Sequence, residues 1–156
     1  ARHAGHPIIA MVIGRAISGA FLCHGLQADH ILSLTSEFGT MIHVMPLSSI
    51  ARITRQDVER LSELSRTNPV FAAGPEFFWQ LGGVEALIQA IPEMKGTIVR
   101  HIAEVRQQKQ AAGVTATGPQ GRGIAGEARG GRKMRNVILA QMREEYRAVA
   151  ARYQPA

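Results

Sequence analysis

The stretch of this chain richest in chemistry is the turn from Gly14 through Arg15, Ala16, Ile17, Ser18, Gly19 and Ala20 to Phe21. An apolar run, Ile8 to Ile13, delivers the backbone into it, and a helix-forming segment follows. Backbone N–H groups at a helix start have no partner within the helix. They carry partial positive charge and attract anions. Small residues at Gly19 and Ala20 let a carbonyl group approach those donors closely. The two N–H groups therefore qualify as an oxyanion hole, which stabilises an enolate or a tetrahedral oxyanion. The competing reading is a plain strand-to-helix turn of the kind common in α/β proteins.

Other reactive side chains give weaker signals. Ser18 invites a nucleophile reading, but Ala16 stands where the nucleophile elbow needs glycine, so a turn serine is the better reading. Cys23 and His24 are adjacent, and neighbours on a helix point in different directions. A thiolate–imidazole pair is not expected there, and Cys23 reads as a small buried residue. His24, His30 and His43 lack the spacing of a metal site, so no metal is expected. His43 shares a strand face with Met41 and Met45 and reads as a core histidine, with a place near substrate as the alternative. Phe77, Phe78 and Trp79 read as core or interface anchors.

The elements that position these residues follow from periodicity. Ile8 to Ile13 is apolar without alternation, as in a parallel strand covered on both faces. A short helix over Ala20 to Ala28, a strand over His30 to Leu34, a turn over Thr35 to Gly39 and a strand over Thr40 to Met45 follow. From Pro46 helices dominate. Thr54 reads as an N-cap with Asp57 three residues on, opening a helix that runs to Arg66 and is broken at Asn68-Pro69. Further helices are expected over Pro75 to Trp79, Val84 to Ala90 and Thr97 to Ala112. Together they make an α/β protein. Its organisation reads as an α/β core over 1–112, a glycine-rich loop or linker over 113–131 and a basic C-terminal helix over 132–156. The loop reading rests on seven glycines and few large apolar residues.

Bulk properties narrow the classes. The 156 residues suffice for one domain with a core, and 46% of them are hydrophobic. The longest apolar run, Pro7 to Ile13, is far short of a membrane span, and no secretory leader is recognisable. The single cysteine, Cys23, excludes an internal disulfide and points to the cytoplasm. The net charge of +6 favours an acidic partner: nucleic acid, an acidic carrier protein or a phosphorylated cofactor such as coenzyme A. Between 119 and 156 stand Arg122, Arg129, Arg132, Lys133, Arg135, Arg143, Arg147 and Arg152 against three glutamates. A basic module that binds nucleic acid is one reading of that tail. Aromatic residues are scarce among those charges, which argues against it. Docking of an acidic carrier protein is the more specific alternative.

The run from His6-Pro7 through Gly14-Arg15-Ala16-Ile17-Ser18-Gly19-Ala20-Phe21-Leu22-Cys23-His24-Gly25 resembles the central segment of malonate decarboxylase gamma subunits. That family typically carries Gly-Lys-Ala-Met-Ser-Gly-Ala-Phe-Leu-x-His-Gly there. The similarity continues at Met41-Ile42-His43-Val44-Met45 and at Ala51 to Thr54, and covers about residues 6 to 90. Arg15 stands in place of the usual lysine, Pro46-Leu47 where Gly-Lys is frequent, and Glu37-Phe38 within a turn that is elsewhere acidic. The family also has an N-terminal half, with an Asp-Thr-Pro-Gly-like turn, that this sequence does not show.

The resemblance implies the C-terminal portion of a crotonase-like (ClpP/crotonase) βα spiral. It implies a heterodimer with the beta subunit and an acyl carrier protein partner. The implied reaction decarboxylates a malonyl thioester held on the carrier's prosthetic group, with no other cofactor. The alternative is the carboxyltransferase half of a biotin-dependent carboxylase. In either case the backbone of Gly19 and Ala20 would contribute to the oxyanion hole, with Arg15, Ser18 and His43 beside the substrate. No nucleic acid or membrane partner is implied.

Overall fold

The computed structural model describes residues 1–67 and 73–152. The expected break at Asn68-Pro69 and the final tyrosine, Tyr153, lie outside the described residues. The fold is mixed α/β with parallel sheets. Strands β1 (Ile9–Val12), β2 (Arg15–Ile17), β3 (His30–Leu34) and β4 (Met41–His43) come first. Helices α1 (Leu47–Thr54), α2 (Val58–Thr67) and α3 (Pro75–Gln80) follow, then β5 (Ala86–Ile88) and helices α4 (Met94–Ala112), α5 (Pro119–Ala128) and α6 (Arg135–Val149).

Two parallel sheets result. One has the order β1-β3-β5, with Ile9 opposite His30 and Leu32 opposite Ala86. The other pairs β2 with β4, with Arg15 opposite Met41 and Ile17 opposite His43. Every residue of β3 is buried, as expected of a central parallel strand covered on both faces. Its side chains divide by parity. Ile31 joins Val12, Phe21, Ala28, Ile42 and Val84 in one apolar cluster. Leu32 and Leu34 join Ile88 in a second, against which Met94 and Ile98 of α4 pack.

Several local expectations are corrected. Arg15 to Ile17 is a strand, β2, within what reads as a turn. The helix expected over Val84 to Ala90 is β5. Glu85, Ala86, Leu87 and Gln89 are good helix formers, but three ladder positions along the buried β3 override that propensity. Thr54 ends α1, its hydroxyl donating to the Ile50 carbonyl, rather than opening α2. Asp57 caps α2 instead, its carboxylate accepting the N–H groups of Glu59 and Arg60 at 2.8 and 3.0 Å.

The glycine-rich segment contains a helix, α5. Its glycines permit close packing: a Cβ on Gly126 would collide with the Leu81 carbonyl oxygen. Arginines staple it down. Arg129 donates to the carbonyls of Trp79 and Val84 and lies over the Trp79 ring, 4.5 Å from its centroid. Arg132 donates to the Leu81 carbonyl and Arg122 to those of Leu26 and Ala28. These three charges of the basic segment serve the fold. Helix α6, by contrast, buries none of its residues.

Candidate active-site turn and a buried polar cluster

Between β2 and the helical turn that follows, Ser18 adopts φ 49°, the left-handed region. A non-glycine residue there costs about 1–2 kcal/mol. Such strain concentrates at functional sites. The twist at Ser18 throws the backbone from β2 straight into a π-helical turn, Ala20–His24, with Gly19 at its N-cap. Gly19 and Ala20 stand at the open end of this turn and are exposed. No carbonyl of a preceding turn is available to their N–H groups.

The β2–β4 pairing sets what faces this turn. Paired residues of adjacent strands project to the same side, and alternate residues to opposite sides. Ala16 and the fully buried Ile42 therefore face the core. Arg15, Ile17, Met41 and His43 share the outer face. Sequence-expected site residues thus meet: Arg15 and His43 lie on the face that ends at Ser18, Gly19 and Ala20. His43 is half-buried, and its Nδ1 is sealed from solvent without a hydrogen-bond partner among the described residues. This departs from a satisfied core histidine, because a buried polar atom left unpaired costs about 1–3 kcal/mol. Ser18 has no hydrogen-bonded acid or base among the described residues, in line with a turn serine. Cys23, expected to be buried, is exposed, because the π-helical turn buries Phe21 instead.

The rim of the turn is apolar and open. Ile13 is 64% exposed and Val44 53%, and Ile17, Leu22, Met41 and Met45 are more than a third exposed. Water therefore reaches the Gly19 and Ala20 donors freely, and oxyanion stabilisation is weak where water competes.

A second polar region lies at the start of β3. Asp29 is fully buried. Its Oδ2 accepts from the Ile8 N–H and from Lys109 Nζ, both at 2.8 Å, and its Oδ1 accepts from the Thr117 hydroxyl at 2.7 Å. Burial pushes this carboxyl up, and the Lys109, Ile8 and Thr117 donors more than reverse it, holding it below the usual aspartate range. Glu85 accepts from the Ile31 N–H and pairs with Arg122 at 3.5 Å, yet burial pushes its carboxyl above the usual range.

Beside them, His30 Nδ1 lies 2.8 Å from His101 Nδ1, and His101 Nδ1 lies 3.0 Å from Glu104 Oε2. Burial, then the facing His101, pushes His30 down; burial likewise lowers His101 against the pull of Glu104. Histidine spacing near the N-terminus misses this cluster, because His101 is 71 residues from His30. The sequence signal that reveals its helical part is His101 and Glu104 three apart on α4.

Comparisons with known proteins agree with this architecture. Residues 1–146 match the family model described as malonate decarboxylase gamma subunit. The chain is 63% identical over 150 residues to the malonyl-S-ACP:biotin-protein carboxyltransferase MADD of Malonomonas rubra, covering 96% of this chain and 51% of that protein. A Pseudomonas malonate decarboxylase hetero-tetramer in complex with coenzyme A is similar at 27% identity, with a TM-score of 0.72 over 92% of this chain and 54% of its own. A Pseudomonas MdcD–MdcE heterodimer of malonate decarboxylase is similar at 26% identity, with a TM-score of 0.63 over 90% of this chain and 52% of its own. The chain spans about half the length of the relatives it matches. It belongs to the malonate decarboxylase gamma subunit family.

Proposed function

We propose that this chain supplies one side of an active site that removes the carboxyl group from a malonyl thioester carried on an acyl carrier protein. The observation that carries this reading is the strained Ser18, which presents the Gly19 and Ala20 N–H groups beside the face bearing Arg15 and His43. When the carbon–carbon bond to the carboxylate breaks, its electron pair moves into the thioester, and the thioester oxygen gains negative charge as an enolate. Two aimed N–H donors stabilise that oxygen more than they stabilise the neutral carbonyl before it. Arg15 offers a charge for the substrate carboxylate, and the half-buried His43 lies on the same strand face. Protonation of the enolate carbon completes the acetyl thioester.

The site calls for a second wall. Its donors are exposed and its rim is apolar, so a partner that covers Ile17, Leu22, Met41 and Val44 would exclude water. We take that partner to be the beta subunit, with which this chain would complete a crotonase-like βα spiral on each side. The chain itself needs no metal or redox group for this step.

A second reading concerns the fate of the carboxyl group. The 63% identity to a protein named as a malonyl-S-ACP:biotin-protein carboxyltransferase favours transfer to biotin over release. In that case the carboxyl group passes to a biotin nitrogen, and the proton leaving that nitrogen ends on the acetyl carbon. The decisive assay combines this chain with its beta subunit and malonyl carrier protein labelled in the free carboxyl. Label in carbon dioxide without biotin supports decarboxylation. Label in a biotin protein, with turnover that requires it, supports transfer. No loss of label under either condition rejects both.

The oxyanion role has its own test. Gly19 has φ −59°, close to the value that proline imposes. Gly19→Pro deletes one N–H, whereas Gly19→Ala keeps it and has room, since its Cβ would lie 4.0 Å from Cys23 Sγ. Loss of about 10²–10³ in kcat for proline but not for alanine is expected. Equal activity in the two variants would remove Gly19 from the hole.

A further inference from the structure

We propose that His30, His101 and Glu104 form a binding site for a divalent transition-metal ion of the zinc type. Each of the three residues offers a donor atom, and these atoms all lie within 4.8 Å of one another. His30 Nδ1 is 2.8 Å from His101 Nδ1, which is 3.0 Å from Glu104 Oε2. Zinc binds imidazole nitrogen and carboxylate oxygen at about 2.0–2.2 Å, which puts neighbouring ligand atoms about 3.3 Å apart in a tetrahedron. Small outward movements therefore admit an ion between donors that already converge.

The donor chemistry points the same way. Each Nδ1 offers either a lone pair or a proton, and the ionised carboxylate offers only lone pairs. Two imidazole nitrogens in contact need a proton between them, and the carboxylate competes for the same one. A cation placed among the three takes one lone pair from each at once. Two imidazoles and one carboxylate suit zinc and its neighbours in the first transition row rather than magnesium or calcium, which prefer oxygen.

The ligands sit on rigid elements. His30 opens β3 and is held in register opposite Ile9. His101 and Glu104 are three residues apart on the 19-residue α4, so they project from one face. Gln108, one turn further along, lines the same cavity as the two histidines and could hold one of their rings from outside. Such an outer contact fixes the orientation of a ligating ring. The two histidines are 7% and 8% exposed, whereas the Glu104 side chain is 40% exposed. A cavity of about 320 Å³, which Glu85 and Arg122 also line, opens onto them. That leaves an entry path and a coordination position for water. No residue of β2, β4 or the Ser18 turn lines this cavity, so the ion would tie β3 to α4 rather than act on the malonyl group.

The test uses the full chain, stripped with a chelator and titrated with cobalt(II), whose tetrahedral complexes absorb visibly. One ion per chain with that absorption, displaced by zinc, is expected. Zinc chloride should also raise Tm, and magnesium chloride should not. Glu104→Gln and His101→Gln should each weaken cobalt binding about tenfold or more, since even the outer partners of a ligand are worth 10–100-fold. His24→Gln, at an exposed histidine outside the cluster, should change nothing. His101 is buried, so Glu104→Gln decides alone if His101→Gln fails to fold, with circular dichroism confirming its structure. Absence of tetrahedral absorption in the parent chain, or unchanged affinity in a folded Glu104→Gln, overturns the proposal.

Discussion

Lys109 Nζ lies 2.8 Å from Asp29 Oδ2, with the two side chains 5% and 0% exposed. The ammonium also donates to the carbonyls of His6 at 2.8 Å and Arg2 at 3.2 Å. The carboxylate in turn accepts from Ile8 and Thr117. One buried ion pair thereby joins the chain start, the entry to β3, the end of α4 and the segment leading to α5. Breaking a buried pair by removing one partner costs about 3–5 kcal/mol, because the remaining charge is left uncompensated. Lys109→Met should therefore lower unfolding free energy by about that amount, read from urea denaturation. Asp29→Asn/Lys109→Met together should cost less than the sum of the two single changes.

Ser18→Gly should relieve the left-handed strain and stabilise the chain by about 1 kcal/mol, visible as a higher urea midpoint. If Ser18 serves only as the turn, kcat in the assembled enzyme should hold. A fall of a hundredfold or more would assign the hydroxyl a chemical role instead.

Glu76 couples stability to pH. Its Oε1 accepts the Ser36 N–H at 2.8 Å and the Ser36 hydroxyl at 2.9 Å. Burial alone would raise its carboxyl, but the Ser36 donors outweigh burial and hold it below the usual glutamate range. A depressed folded value means the contribution is present above about pH 4.5 and is lost as pH falls through the folded value. Glu76→Gln should thus destabilise at neutral pH, by less than about 1 kcal/mol for so exposed a group. The difference from the parent chain should vanish in acid. A difference that persists at pH 3, or none at neutral pH, would contradict this.

The basic segment offers a test of carrier docking. Arg132 should be spared, since its Nε donates to the Leu81 carbonyl at 2.7 Å. Lys133→Glu/Arg135→Glu reverses two neighbouring charges instead. Turnover of a carrier-bound thioester should fall several-fold, mainly through association, while a small thioester analogue should react as before. Equal loss on both substrates would count against docking here.

How far the sequence speaks depends on the range of the interactions that decide each element. β1 lies in a continuous apolar run, so its burial in a parallel sheet is legible from composition, whereas β3, with His30 and Ser33 in it, is legible as a strand only. β5 is not, since Glu85 to Ala90 favours helix locally and only the ladder to β3 makes it a strand. α5 is obscured because its glycines are read as flexibility, whereas Gly126 is required by the approach of Leu81. At the candidate site, the Gly19 and Ala20 turn is visible as a run of small residues. The left-handed backbone at Ser18 is not, and neither is the shared face of Arg15 and His43, which arises from the β2–β4 register. The His30–His101 contact is hidden for the same reason: it spans β3 and α4.

The β2–β4 ladder has further weight. It has three residue pairs, and an isolated two-stranded ribbon is marginal in water. Its inner face is fastened by the fully buried Ile42 and by Ala16, while Arg15 and Met41 on the outer face are exposed. A partner closing over this face would have to freeze it. Part of the interaction free energy would go into ordering, leaving the measured affinity weaker than the covered area suggests. Assembly would then do for the site what a longer ladder does elsewhere: it would supply stiffness, and with it the timing of when the site becomes competent.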